Sequence, residues 1–144
     1  MLLDTAFLID LMNGDDGAVE KAQEIEAELV QQRLAAMTVF ELYYGIARSE
    51  QAAAEREQVE QVLGSKPIHA ADSAVMRKAG RLAGELANDG TPVADGDVII
   101  AATAHVVEEP VLTRNADDSE RREVEHENYL PKSSYATNQQ GTEQ

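Results

Sequence analysis

The sequence predicts an α/β fold in which a parallel sheet carries helices on its faces. Short apolar runs at residues 1–3, 34–36 and 110–113 are typical of strands, and longer segments with apolar residues at helical spacing separate them. This alternation of short strands with longer helices indicates that the strands are parallel. A chain of 144 residues with 43% hydrophobic content is long enough for one domain with its own core.

Six helices are predicted from apolar spacing and from residues that favour helix ends. They span residues 7–12, 18–32, 38–46, 50–63, 71–88 and 95–107. Asp4 or Thr5 can cap the first helix, and Thr38 is expected to cap the third, with Glu41 at the capping-box spacing. The helix at 95–107 is almost entirely apolar, which indicates that it is buried.

The other segments link these helices or end the chain. Residues 66–68 are typical of an extended link, and Val124 marks a possible last strand. We expect residues 1–130 to form the domain. Residues 131–144 are polar and contain several Ser and Gln, so they are predicted to form a disordered tail.

Four acids stand beside apolar runs or turns that can hold them in place: Asp4, Glu41, Asp97 and Asp118. A carboxylate against a hydrophobic core is costly unless positive charge compensates it. Few Lys or His residues are near these acids in sequence, so a divalent metal is the simplest compensation. Asp4 and Asp118 follow predicted strands, and ligands gather at the carboxyl ends of parallel strands. We therefore expect the four acids to meet at one edge of the sheet.

This set of acids predicts a metal-dependent phosphodiester hydrolase. Mg²⁺ and Mn²⁺ prefer carboxylate and water oxygens, and one or two such ions can activate water against a phosphodiester. Asp4 and Asp97 are expected to bind the main metal ion. Glu41 and Asp118 are expected to complete the cluster, through water or at a second ion.

Each acid also has a plainer interpretation when it is taken alone. Asp4 and Asp97 can be helix caps, Glu41 a capping-box acid, and Asp118 a solvated loop residue. Two neighbouring acids remain alternatives as ligands, namely Asp117 and Asp95. The functional interpretation is favoured because all four acids agree with one mechanism.

The charge balance is unusual for a protein that binds a polyanion. Asp and Glu number 27 against 12 Lys and Arg, which gives a net charge of −15. Such a surface repels nucleic acid at ordinary salt. Either the ligand is not a polyanion, or the protein works in concentrated salt, where charges are screened and an acidic surface keeps it soluble. Composition favours the second, halophilic interpretation.

Other compositional features favour a cytoplasmic enzyme. The sequence contains no Cys, so it has neither disulfides nor thiolate metal ligands. Its apolar runs are too short to cross a bilayer, and it begins with a strand-like segment rather than a signal peptide.

The chain resembles the PIN-domain ribonucleases, and within them the VapC-type toxins of toxin–antitoxin pairs. The motifs that carry this resemblance are Leu3-Asp4-Thr5, Glu41-Leu42-Tyr43-Tyr44-Gly45, Asp97-Val98-Ile99-Ile100-Ala101-Ala102-Thr103-Ala104 and Thr113-Arg114-Asn115. Their order and spacing are similar to those of the family over residues 1–130. One departure is Ser119, where family members usually carry Phe after the last acid.

The resemblance implies properties that composition and spacing do not. It implies a three-layer α/β/α PIN-like fold with a short central parallel sheet, and Mg²⁺- or Mn²⁺-dependent endonucleolytic cleavage of RNA. It also implies a homodimer and inhibition by a cognate antitoxin protein. Two alternatives remain, namely an RNA-processing PIN nuclease without an antitoxin and a non-catalytic PIN fold that binds a partner.

Overall fold

The computed structural model describes residues 1–114 and the backbone of a strand at 126–128. The strands are β1 (Leu2–Leu3), β2 (Leu34–Ala35), β3 (Ile68–His69), β4 (Val111–Thr113) and β5 (His126–Asn128). The helices are α1 (Thr5–Met12), α2 (Asp16–Ala27), α3 (Ala36–Arg48), α4 (Ala52–Ser65), α5 (Ser73–Asn88) and α6 (Asp95–Val107). The predicted α/β class, with its parallel strands, is confirmed.

The described strands form one parallel layer in the order β3-β2-β1-β4-β5. β1 pairs with β4, β4 with β5, and β2 with β3. A parallel bridge between Leu2 and Arg33 joins the two groups, and the Leu3 N–H donates to the Arg33 carbonyl at 3.0 Å. The strands that follow β1 are thus added first on one side of it (β2, β3) and then on the other (β4, β5). Where the strand order reverses in this way, a crevice opens at the carboxyl ends of the strands.

The two residues of β1 point to opposite faces of the sheet, as strand geometry requires. Leu3 is buried with Phe7 and with apolar residues of α1 to α4. Leu2 is buried on the other face with Ile100 and Ala104 of α6. α5 then packs on the outer side of α6. Helices thus cover both faces of a short sheet, which gives the three layers that the resemblance implied.

Two predicted boundaries are wrong because a tight turn and a short strand lack strong sequence signals. α2 ends at Ala27 rather than at residue 32. There the Val30 N–H donates to the Ile25 carbonyl at 2.9 Å and Leu29 has φ of 58°, which is a Schellman motif with Leu where Gly is usual. Ile68–His69 forms strand β3 beside β2, where only a link was predicted.

The predicted capping box at Thr38 is also wrong. β2 leads directly into α3, so the helix already begins at Ala36, and its N-cap Ala35 makes no side-chain hydrogen bond. Thr38 therefore lies inside the helix, fully buried. Its hydroxyl does not cap the backbone of α3 but lies 3.1 Å from the hydroxyl of Thr5.

Some predictions fall outside the described residues. These are the domain boundary at 130, the tail 131–144, the position of Val124 and the positions of Asp117 and Asp118. Within the described part of the chain, no helix is both long and apolar enough to cross a membrane.

Candidate metal centre

Asp4 leaves the carboxyl end of β1 and caps α1. Its Oδ1 accepts a hydrogen bond from the Phe7 N–H at 2.9 Å, and its carboxylate also accepts one from the Thr113 side chain. Burial raises the pKa of Asp4, and the nearby charge of Asp97 raises it further. The hydrogen bonds from Thr113 and Phe7 and the charge of Arg114 oppose this, and the net pKa remains above the usual value. In the folded protein, burial therefore makes ionisation of Asp4 less favourable than it is in water.

Asp97 stands in the first turn of α6, at the rim of the same region. Asp97 is an exposed residue. Its carboxyl group is nevertheless partly buried, which raises the pKa of Asp97 as well. The free N–H groups of a helix start favour an anion at this point. The charge of Asp97 contributes to the raised pKa of Asp4, which indicates that the two carboxyl groups are near each other.

Glu41 reaches the site from α3 and is constrained at both carboxylate oxygens. Its Oε1 accepts a hydrogen bond from the Thr5 hydroxyl at 2.6 Å. Its Oε2 lies against Gly96 of α6, where an added Cβ atom would overlap it. The absence of a side chain at Gly96 thus lets a carboxylate of α3 approach the backbone of α6 closely.

The three acids line one acidic pocket of about 80 Å³ beyond the carboxyl ends of β1 and β4. Its lining is Asp4, Thr5, Ala6, Glu41, Asp97, Ile100, Ala101, Val111 and Thr113. In the described part of the chain, no Lys, Arg or His lines this acidic pocket. It lies where the strand order reverses, as expected of a binding crevice in a parallel sheet.

Comparison with known proteins agrees with this architecture. A family model described as the PIN domain matches residues 1–124. The chain belongs to the PIN-domain family. PIN domains of this kind are nucleases, so the predicted assignment to a nuclease family is confirmed. Among curated proteins no significant match was found.

Solved structures similar to this PIN domain come from toxin–antitoxin complexes. VapBC2 of Rickettsia felis, bound to a promoter DNA fragment, has a TM-score of 0.79 at 20% identity, with 88% of this chain and 96% of that chain covered. DNA-bound VapBC of Salmonella typhimurium has a TM-score of 0.78 at 25% identity, with the same coverage. A toxin–antitoxin complex of Klebsiella pneumoniae has a TM-score of 0.62 at 26% identity, covering 81% of this chain and 88% of that chain. The predicted PIN-domain resemblance is confirmed by the family model, and these neighbours support its VapC-type subgroup.

The donor set of the acidic pocket fits a hard divalent cation. Among the described residues, no three His, Asp or Glu side chains stand close enough to enclose a metal ion as they are placed. Mg²⁺, however, commonly binds through one or two carboxylates and keeps several waters. The carboxylates of Asp4 and Asp97, which line the same pocket as Glu41, meet that requirement.

The remaining sequence-derived candidates occupy other positions. Asp95 is the first residue of α6 and does not line the acidic pocket. Arg114, of the last family motif, donates to both carboxylate oxygens of Asp10 at 2.8 and 3.0 Å. Asp118 and Asp117 lie outside the described residues, so the four-acid assignment stays a prediction.

Sequence reasoning missed three residues that shape the site. Thr5 was considered as a helix cap and as part of a family motif, but not as the residue whose hydroxyl binds Glu41. Thr113 ends β4 and binds Asp4, and Gly96 makes room for Glu41. The sequence signals for them are membership of the family motifs for Thr5 and Thr113, and for Gly96 its position directly before Asp97.

Proposed function

We propose that this PIN domain is a Mg²⁺- or Mn²⁺-dependent endoribonuclease that acts as the toxin of a toxin–antitoxin pair in the cytoplasm. The observation that carries this proposal is the gathering of Asp4, Glu41 and Asp97 in one pocket that no basic side chain of the described residues lines. Like charges that line one pocket oppose folding unless a ligand compensates them. A divalent cation is the compensating ligand that suits carboxylate oxygens.

The residues of the site would divide the work as follows. Asp4 and Asp97 would hold the main ion, and Glu41 and Asp118 would complete its surroundings. When bound, the ion would polarise the scissile phosphate and lower the pKa of a water molecule. Thr113 and the Phe7 N–H keep the Asp4 carboxylate oriented, so less freedom is lost when it binds a ligand.

A groove beside the acidic pocket supports an antitoxin as partner. It has a volume of about 310 Å³ and runs between α1, α3 and α4. Its lining combines apolar Ile9, Leu42 and Ile46 with the acids Glu41 and Glu55. A segment with apolar and basic side chains complements this surface, and the similar solved structures are toxin–antitoxin complexes. Because Glu41 lines both cavities, an occupant of the groove would reach the site of chemistry.

An exposed aromatic surface on α3 supports homodimerisation. Phe40 and Tyr44 are 62% and 51% exposed, and their ring centroids are 6.4 Å apart. Large exposed apolar groups of this kind commonly mark protein interfaces. A second copy of the chain is the proposed occupant, and Phe40→Glu should shift the protein toward monomer in sedimentation measurements.

The decisive test of the proposed activity compares two acids of α6. Asp97→Asn should abolish Mn²⁺-dependent cleavage of RNA while circular dichroism shows a folded protein. Asp95→Asn is the matched control, because Asp95 lies two residues earlier on the same helix and does not line the acidic pocket. Normal cleavage by Asp97→Asn would refute the assigned site, and equal loss in both variants would make Asp95 a ligand.

A further inference from the structure

Building on the metal site proposed above, we propose that Thr5 is a positioning residue that fixes the Glu41 carboxylate, with Gly96 as the opposing wall. Thr5 is the first residue of α1, Glu41 belongs to α3 and Gly96 to α6. The Thr5 hydroxyl links α1 to Glu41 of α3, and the lack of a side chain at Gly96 lets Glu41 approach α6. Neither Thr5 nor Gly96 is expected to bind the cation itself.

The hydrogen bonds around Thr5 have a defined direction. Thr5 Oγ1 is 2.6 Å from Glu41 Oε1 and 3.1 Å from Thr38 Oγ1. An ionised carboxylate only accepts hydrogen bonds, and a distance near 2.6 Å is typical of a hydroxyl that donates to one. The single proton of Thr5 is therefore directed to Glu41. The buried Thr38 hydroxyl then donates to the Thr5 oxygen, which polarises the chain from Thr38 through Thr5 to Glu41.

Helix capping does not require the Thr5 hydroxyl. The cap of α1 is Asp4, whose Oδ1 accepts from the Phe7 N–H at 2.9 Å. Thr5 is already helical, so its side chain is available for a contact outside α1. The contact that it makes crosses 36 positions of the sequence.

Gly96 closes the other side of the Glu41 carboxylate. A Cβ atom at position 96 would overlap Glu41 Oε2 and would lie 3.4 Å from Met37 Cε. Because Oε2 is the far end of a flexible side chain, an alanine at 96 would displace Glu41 rather than the helix backbone. The Thr5 hydroxyl therefore orients Glu41 in the space that Gly96 leaves open, which reduces the ordering cost of ligand binding.

The first measurement is Mn²⁺ affinity by isothermal titration calorimetry. Thr5→Val keeps the shape of the side chain and removes the donor, so affinity should fall roughly tenfold, as for loss of a charge-assisted hydrogen bond. Thr5→Ser restores the donor and should bind within about twofold of the wild type. RNA cleavage by Thr5→Val should show a lower kcat at saturating RNA, with KM for RNA little changed.

The second measurement uses a pair of helical glycines. Gly96→Ala should weaken Mn²⁺ binding to a similar degree while urea unfolding changes little. Gly84→Ala is the matched control, since a Cβ at Gly84 of α5 meets nothing within 4 Å. It should bind Mn²⁺ as the wild type does. If Thr5→Val does not fold, Gly96→Ala carries the test alone.

The outcomes separate the two proposals. Wild-type Mn²⁺ affinity in a folded Thr5→Val protein, or in Gly96→Ala, would overturn the positioning role and leave the nuclease assignment intact. Absence of both Mn²⁺ binding and cleavage in the wild type would instead overturn the proposed function. Loss of affinity in Thr5→Val with recovery in Thr5→Ser would establish the positioning role.

Discussion

Carboxylates at the two ends of the central strand β1 differ in whether cationic groups lie beside them. Before the strand, Glu109 accepts hydrogen bonds from the Met1 amine at 2.9 Å and from Arg33 Nε at 3.1 Å. After the strand, Asp4 and Asp97 share a pocket that no basic side chain of the described residues lines. We call Met1, Arg33 and Glu109 the amino-terminal cluster.

The pKa directions express this difference. Burial alone would raise the pKa of Glu109, but hydrogen bonds and charge from the Met1 amine and Arg33 lower it below the usual value. Burial raises the pKa of Asp4 and of Asp97, and nothing reverses it. Glu109 is thus paired with two cationic groups, whereas the raised pKa values of Asp4 and Asp97 agree with the ligand site proposed above.

The largest change should come from a variant that removes a charge from the acidic pocket and leaves the fold intact. Asp4→Asn keeps an oxygen that can cap α1 but removes the charge, so Mn²⁺-dependent cleavage should fall more than about 100-fold. The metal-free variant should be at least as stable as the wild type in urea, because a costly buried charge is gone. Asp4→Ala serves as the comparison and should lose about 1 kcal/mol through the missing cap. A metal-free Asp4→Asn protein that is clearly less stable would mean that this carboxylate supports the fold.

A smaller loss, of stability rather than activity, should come from a variant that disrupts the amino-terminal cluster. Glu109→Gln leaves the partly buried Met1 amine and Arg33 without their anion, which should cost about 2 kcal/mol in the free energy of unfolding. Nuclease activity should be unchanged. Glu108→Gln is the matched control, because Glu108 is the exposed neighbour, and it should change unfolding by less than about 0.5 kcal/mol. Equal stability of the two variants would show that the cluster contributes nothing.

The two ends of β1 should also respond oppositely to pH. The pKa of Glu109 is lowered on folding, so its contribution is present above the unfolded pKa and is lost as pH falls through the folded pKa. The pKa of Asp4 is raised on folding, so metal-free protein is favoured at low pH and loses that stability as pH rises through the folded pKa.

Urea unfolding in chelator from about pH 7 to about pH 3 tests this contrast. The stability gap between wild type and Glu109→Gln should shrink on acidification. The advantage of Asp4→Asn over the wild type should also vanish there, because the wild-type carboxyl then becomes neutral. Parallel curves for the wild type and both variants would contradict the assigned pKa directions.

The smallest effect concerns salt. With a net charge of −15, the folded protein should gain a few degrees in Tm between about 0.1 and 1 M KCl, as self-repulsion is screened. The gap between wild type and Glu109→Gln should change little, because partly buried pairs are screened less. A Tm that falls with KCl would argue against a protein adapted to concentrated salt.

Features that depend on neighbouring residues could be predicted from the sequence. Apolar spacing placed α6 at the bounds observed, and the strand-like run 1–3 placed Asp4 at the start of α1, where it is the cap. The acids Asp4, Glu41 and Asp97 were identified because each lies beside an apolar run. Local propensity and pattern suffice for these features because they act over a few residues.

The partners of those acids could not be predicted from the sequence, because they come from distant parts of the chain. Thr5 meets Glu41 across 36 positions, and the Met1 amine meets Glu109 across 108. The start of α3 shifted because β2 runs directly into it, so Thr38 became a buried donor instead of a cap. Such contacts follow from strand order and helix packing, which no short stretch of sequence encodes, and they determine which carboxylates pair with an amine or a guanidinium and which gather in the acidic pocket.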